Sequence, residues 1–172
     1  AGSYIRLDPY TKAIKLGPDS AGYRVGVCWA ESGVETVTIS DCHVILGYLN
    51  PDNFLGGQVK LDRERAWNAM KEQVADPLGL TVEEAAAGVI ELLDSELRDY
   101  VRSMISSKGY SPSSFTCFSY GGAGPVHTYG YTEGLGFEDV IVPAWAAGFS
   151  AFGCAAADFE YRYDKSLDIN LP

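Results

Sequence analysis

Hydrophobic and polar residues alternate in two short segments near the start of the chain, residues 3–7 and 12–16. Alternation with a period of two is typical of β-strands, and the turn-forming residues 8–11 lie between the two segments. The pattern therefore predicts a β-hairpin. The next six residues, G-P-D-S-A-G at 17–22, are small or turn-forming and predict a loop.

Three segments follow before the middle of the chain. Residues 34–39 are rich in β-branched side chains and alternate, which predicts a short strand. Residues 41–49 are compatible with either a helix or a buried strand. Residues 61–74 place hydrophobic side chains at helical spacing, and the D-P-L-G sequence at 76–79 is expected to end this helix.

The strongest helical signal begins at Thr81. Thr81 and Glu84 form a T-x-x-E capping box, in which each side chain bonds the backbone N–H of the other residue. A hydrophobic stripe continues at helical spacing through Ala85, Val89, Leu92, Leu93, Leu97, Val101, Met104 and Ile105. Lys108 and Gly109 predict the end of this helix. The acidic side chains of residues 83–99 are expected on its solvated face.

The last third alternates between strand and helix patterns. Residues 115–120 predict a strand, the glycine-rich residues 121–125 a tight turn, and the following residues a helix to about Gly134. Residues 140–142 predict a second strand and 149–158 another helix. This order is typical of an α/β layer with parallel strands, and we expect residues 1–172 to form a single domain.

Composition excludes several function classes. The 172 residues contain 13 Lys and Arg but 23 Asp and Glu, a net charge of −10, and no basic cluster offsets it. We therefore expect no nucleic-acid partner and no membrane partner. No apolar stretch reaches the ~18 residues of a membrane span, and the N-terminus lacks a signal-peptide pattern. The four cysteines form no CxxC pair, so reduced thiols in a cytoplasmic protein are expected.

The stretch S-Y-G-G-A-G-P-V-H at 119–127 is the most informative candidate site. Adjacent glycines between a strand and a helix let backbone approach a ligand, because no Cβ intervenes. The unpaired N–H groups at the helix start suit a phosphate or the polar edge of a nucleotide. Neither the Walker pattern nor G-x-G-x-x-G is present. The residues alone leave two interpretations open, a ligand-binding turn and a turn packed in the core.

The same stretch, extended to F-S-Y-G-G-A-G-P-V-H at 118–127, resembles the F-G-G-A-G-P-L-H signature of hydantoinase A-type proteins. G-P-D-S-A-G at 17–22 resembles the family's G-P-x-S-A-G, and residues 38–51 resemble T-V-T-D-A-x-L-V-L-G-R-L-N-P. Further blocks agree in order and spacing at 54–57, 75–80, 82–88, 140–143 and 148–153. The resemblance covers nearly the whole chain and is nearest to acetophenone carboxylase-type subunits. Residues 24–33 depart from the family's P-G-P-A-C-Y-G-R-G-G, so no function is carried over to that segment.

The resemblance implies one lobe of the actin, sugar-kinase and chaperone-ATPase fold (ribonuclease H-like), with a mixed sheet flanked by helices. Two such lobes clamp ATP, and the C-terminal lobe's glycine loop holds the adenosine end. By carry-over, the nucleotide contacts are Gly121, Gly122, Ala123 and Gly124. The opening Ala1-Gly2-Ser3 resembles the end of the family's G-G-G-S motif, which lies near the phosphates. Gly2 and Ser3 are therefore also expected to contact the nucleotide. The chain is thus expected to be the C-terminal lobe of a larger subunit, with the N-terminal lobe missing.

Three polar side chains are candidates for catalysis. Asp41 corresponds to the acid of the family's T-D pair, which could orient a phosphate-bound cation or a water. His127, just inside the helix after the glycine loop, is within reach of a nucleotide, although a capping or packing role is an equal alternative. His43 is a possible metal ligand or general base, but a structural role is favoured because neighbours along the chain point in different directions.

The resemblance also implies an activity. The expected function is an ATP-dependent carboxylase subunit that activates a ketone or bicarbonate by phosphorylation, with ATP and Mg²⁺ or Mn²⁺ as cofactors and no metal ligands assigned. The alternatives are an ATP-dependent hydantoinase or oxoprolinase that hydrolyses a cyclic amide, and a non-catalytic assembly lobe. Expected partners are other carboxylase or hydantoinase subunits, the missing N-terminal lobe and a small-molecule substrate. The chain alone is expected to turn over no ATP.

Overall fold

The N-terminal hairpin is the first element of the computed structural model, which describes residues 2–168. Strand β1 (Ser3–Leu7) pairs antiparallel with β2 (Ile14–Ser20), and Leu7 lies opposite Ile14. The predicted hairpin is confirmed. The predicted loop at 17–22 is wrong in its first part, because β2 continues to Ser20. A strand of a two-stranded sheet has one free edge, where Pro18 needs no N–H for pairing.

The strand predicted at 34–39 is also wrong. Residues 34–37 are irregular, Thr38 makes a single bridge to Tyr4, and helix α1 (Ile39–Ile45) begins directly after it. Thr38 caps this helix in a box with Asp41, and this local bonding outweighs the β-branched pattern. Every residue of α1 is buried, so no polar face marks it as a helix in the sequence.

The central helices agree with the helical spacing of their hydrophobic residues. Helix α2 (Arg63–Met70) continues through a π turn (Lys71–Ala75) into the short α3 (Asp76–Leu78), which ends at Gly79 with φ +68°. Helix α4 (Val82–Ser106) begins at the predicted capping box of Thr81 and Glu84. The main hydrophobic core lies between α1, α2, α4 and Ile5 of β1.

The last third forms a parallel β-α-β unit. Strand β3 (Thr116–Phe118) pairs in parallel with β4 (Asp139–Ile141), and α5 (Gly124–Thr132) lies between them in the chain. Helix α6 (Phe149–Ala156) follows. The predicted parallel strands are confirmed. The described residues form two separate two-stranded sheets rather than one mixed sheet, within a mixed α/β architecture.

Helix α5 packs along α4, which joins the C-terminal unit to the main core. In contrast, β4 is exposed along its whole length, and α6 is exposed after its half-buried first residue, Phe149. Within residues 2–168, no helix is both long and apolar enough to cross a membrane.

Candidate functional site

The glycine loop lies between β3 and α5. Gly121 has φ +90°, a conformation that favours glycine, and its N–H donates to the Ala146 carbonyl at 2.8 Å. Gly122 has no positive φ, is exposed, and a Cβ built on it meets no atom within 4 Å. The first turn of α5 carries neither a side-chain cap nor an acidic residue. Gly121 is therefore required by the fold, whereas Gly122 is not.

A cavity of about 470 Å³ lies between this loop, the N-terminal segment and α1. It is lined by Gly2, Gly22, Tyr23, Val25, Ser40, His43, Leu49, Phe54, Leu55, Gly122, Ala123, Val126 and Ala147. Three of the predicted nucleotide contacts, Gly2, Gly122 and Ala123, are thus brought together from the N-terminal segment and the last third of the chain. The lining is mostly apolar and contains no Lys, Arg, Asp or Glu, which suits a flat, uncharged ring better than a phosphate.

The other predicted contacts lie elsewhere. Ser3, Gly124 and His127 line a second cavity of about 530 Å³, bounded by hydrophobic side chains of α4, and Ala123 lines both cavities. Gly121 lines neither of these two cavities. Ala1 lies outside the described residues. The predicted set is therefore divided between two adjacent cavities rather than gathered around one.

Asp41 lies beneath the loop at residues 26–28 and is fully buried. Its carboxylate accepts hydrogen bonds from the backbone N–H groups of Val27 (3.2 Å), Cys28 (2.7 Å) and Thr38 (2.7 Å), and from the Thr38 hydroxyl (2.9 Å). A Cβ at Gly26 would overlap this carboxylate and the Thr38 hydroxyl, so the loop approaches only because Gly26 is there. In this geometry Asp41 fastens the loop to the start of α1 and does not line either cavity.

The two histidines are in contact. Nε2 of His43 lies 3.0 Å from Nε2 of His127, and Nδ1 of His127 lies 2.7 Å from the Asp94 carboxylate. All three side chains are largely buried, and burial together with the adjacent His127 ring lowers the pKa of His43 to about 4. The expectation that Asp94 lies on a solvated helix face is therefore wrong. Its position four residues after the buried Ile90 is the signal that places it on the packed face of α4.

The cysteines closest to Asp41 are unreactive. Burial, followed by the nearby Asp41 charge, raises the pKa of both Cys28 and Cys42. Both thiols therefore stay protonated and act as small core side chains. Among residues 2–168, no three His, Cys, Asp or Glu side chains are grouped as metal ligands would be.

The protein thus has a mixed α/β architecture in which the glycine turn of a parallel β-α-β unit faces an uncharged, mostly apolar cavity. Residues 1–163 match the family model described as Hydantoinase/oxoprolinase. The chain belongs to this family.

Acetone carboxylase provides matches of high identity. The acetone carboxylase beta subunit of Xanthobacter autotrophicus is 87% identical over all of this chain, which covers 24% of that protein. The nucleotide-free structure of ATP-dependent acetone carboxylase matches the whole chain with a TM-score of 0.92 and 87% identity, again over 24% of its length.

More distant relatives have other substrates in their names. The acetophenone carboxylase gamma subunit of Aromatoleum aromaticum is 36% identical over 96% of this chain and 22% of that protein. The structure of ATP-dependent caprolactamase from Pseudomonas jessenii matches 88% of this chain and 22% of its own, with a TM-score of 0.78 and 35% identity. The chain therefore spans about a quarter of the length of these relatives.

Proposed function

We propose that this chain is part of the nucleotide-binding region of an ATP-dependent ketone carboxylase subunit. The observation that supports this most strongly is the 87% identity, over every residue of the chain, with an acetone carboxylase beta subunit. Identity at that level favours a common substrate class. The proposal includes the lobe of an actin-like fold, a cytoplasmic location and assembly with further carboxylase subunits.

The cavity beside the glycine loop is the proposed site for the adenosine end of ATP. Tyr23 and Phe54 offer aromatic surface for a purine ring, and the open position at Gly122 allows backbone to contact the ligand. The lining lacks charged side chains, so we assign the phosphates and the Mg²⁺ or Mn²⁺ ion to residues outside it. Gly2 is assigned to the phosphate end of the cavity because it lies in the stretch that resembles the family's G-G-G-S motif.

When bound, ATP supplies a phosphoryl group that turns an oxygen of the enolised ketone or of bicarbonate into a leaving group. The residues of this chain would bind and orient the nucleotide and exclude water. Within this assignment Asp41 is a positioning residue, because its four hydrogen bonds hold the loop at 26–28 against α1. His127 acts through His43, since it meets the first cavity only by way of that ring.

A second candidate function is ATP-dependent hydrolysis of a cyclic amide. The 35% identity with an ATP-dependent caprolactamase supports it, because that enzyme shares the fold of this region. A non-catalytic assembly lobe is the third alternative, and nucleotide binding distinguishes it from both enzymes.

The test uses the full-length subunit with its partner subunits. ATP consumption is measured with acetone and bicarbonate together, with each alone, and with caprolactam, 5-oxoproline and hydantoin in parallel. The proposal predicts consumption that needs both acetone and bicarbonate. Consumption stimulated by a cyclic amide, or none with any substrate despite intact assembly, would contradict it.

A further inference from the structure

Asp94, His127 and His43 form a line of hydrogen-bonded groups that ends at the proposed adenosine cavity. Asp94 lies on α4, His127 on α5 and His43 on α1, so three helices each contribute one member. His43 lines the cavity beside the glycine loop, whereas His127 lines the second cavity. Nδ1 of His43 has no hydrogen-bond partner within residues 2–168, because its only polar contact there is made through Nε2.

The ionised carboxylate at one end sets the direction of these hydrogen bonds. A carboxylate only accepts, so Nδ1 of His127 must carry the proton that lies between it and Asp94. In a neutral His127, Nε2 is then the acceptor, and it must receive its hydrogen bond from Nε2–H of His43. A neutral His43 has only one N–H, which leaves Nδ1 as an acceptor. The tautomers are thus assigned by the network.

The packing of α4 against α5 holds Asp94 in place. A Cβ at Gly130 would overlap the Asp94 carboxylate, so this glycine allows the close approach of the two helices. Gly130 and His127 are three residues apart and share one face of α5. Arg98 donates two hydrogen bonds to the Gly130 carbonyl, at 2.6 and 3.0 Å, which adds a second tie between the same helices.

We propose that the Asp94–His127–His43 line fixes Nδ1 of His43 as a hydrogen-bond acceptor, and that this acceptor selects the exocyclic amine of adenine. A 6-oxo purine places an acceptor oxygen where adenine carries its amine, so two acceptors would face each other in the cavity. A buried acceptor left without its donor is a strong basis for discrimination. His43 is the residue that contacts the ligand, and Asp94 and His127 are positioning residues. The inference rests on the proposed adenosine site.

The test is the ratio of the dissociation constants of ITP and ATP, measured on the full-length subunit. Measurements at pH 8 keep ordinary histidine side chains neutral. The wild type is expected to bind ATP at least about tenfold more tightly than ITP. Asp94→Asn replaces an obligate acceptor by an amide that also donates, which allows both tautomers. The ratio is therefore expected to fall toward unity while the protein still binds ATP.

Two further variants keep the test independent of one substitution. Gly130→Ala is expected to lower the same ratio, because its Cβ displaces Asp94 without changing any polar group. Gly88→Ala in α4 is the matched control, since a Cβ there meets no atom within 4 Å, and its ratio should equal that of the wild type. Thermal melting confirms that each variant is folded.

The outcomes separate the inference from the proposed function. Equal affinity of the wild type for ATP and ITP would overturn the inference alone. So would an equal loss of affinity for both nucleotides in Asp94→Asn and Gly130→Ala with the ratio unchanged, because a purely structural role predicts that pattern. Failure of the folded wild type to bind either nucleotide would overturn the proposed adenosine site itself.

Discussion

Replacing Gly122 by valine separates the two interpretations of the glycine loop. If the loop is only a packed turn, the substitution should strain the fold. The structure gives little reason for such strain, because Gly122 has no positive φ and a Cβ there meets nothing within 4 Å. We therefore expect the free energy of unfolding to change by no more than about 0.5 kcal/mol, as at ordinary exposed positions.

The affinity for ATP should change more than the free energy of unfolding. Gly122 lines the cavity, so a valine side chain at this position is expected to take up space that the purine or ribose is proposed to fill. We expect ATP affinity to fall more than tenfold, which corresponds to more than ~1.4 kcal/mol. Isothermal titration calorimetry with ATP, alongside thermal melting of the full-length subunit, measures both quantities on one sample.

Two further variants provide comparisons for Gly122→Val. Gly121→Ala places a side chain at φ +90° and is expected to lower stability by about 1–3 kcal/mol through backbone strain. Gly88→Val changes another glycine with open space around its Cβ position, outside both cavities, and should leave ATP affinity unchanged. Unchanged ATP affinity in a folded Gly122→Val protein would refute the assignment of this loop to the nucleotide.

Asp41→Ala is expected to lower the free energy of unfolding by about 3–5 kcal/mol, because the buried N–H groups of Val27, Cys28 and Thr38 lose a charged acceptor. A loss under about 1 kcal/mol, measured by chemical denaturation, would disprove this. The pKa of His43 is lowered to about 4, so the unfolded chain binds more protons below about 6.5. Stability should therefore fall as pH drops from about 6.5 to about 4, by on the order of 3 kcal/mol. His43→Gln should flatten this dependence of stability on pH. An unchanged slope in that variant would show that His43 is not its source. The 172-residue chain should form dimers or larger species at micromolar concentration, because β4 and α6 are exposed and apolar; light scattering that reports a monomer would argue the opposite. The same chain should hydrolyse ATP only at background rate, and robust turnover would show that no second lobe is needed.

Local patterns predict most elements but not how they pack. The hairpin, the capping box at Thr81 and the parallel strands all follow from short-range rules that need no tertiary information. Helix α1 does not follow from these rules. Every residue in it is buried, so the polar face that reveals a helix in the sequence is missing. Its cap, Thr38 with Asp41, is present in the sequence as T-x-x-D, but Thr38 lies in a segment whose β-branched alternation predicts a strand.

The candidate site is predictable only in part for a related reason. The glycine loop is contiguous, so its residues can be found from the sequence together with the family resemblance. Asp94 cannot be found in this way, because its hydrogen bond with His127 depends on the close approach of α4 and α5 at Gly130. The contact between His43 and His127 spans 84 positions in the chain, and no local pattern indicates it.

A structure of the full-length subunit with a non-hydrolysable ATP analogue tests the proposed nucleotide site most directly. We expect the adenosine moiety within about 4 Å of Gly122 and Ala123, with the 6-amino group toward Nδ1 of His43. An adenosine group bound elsewhere, with the cavity beside the glycine loop left to solvent, would contradict the proposed function.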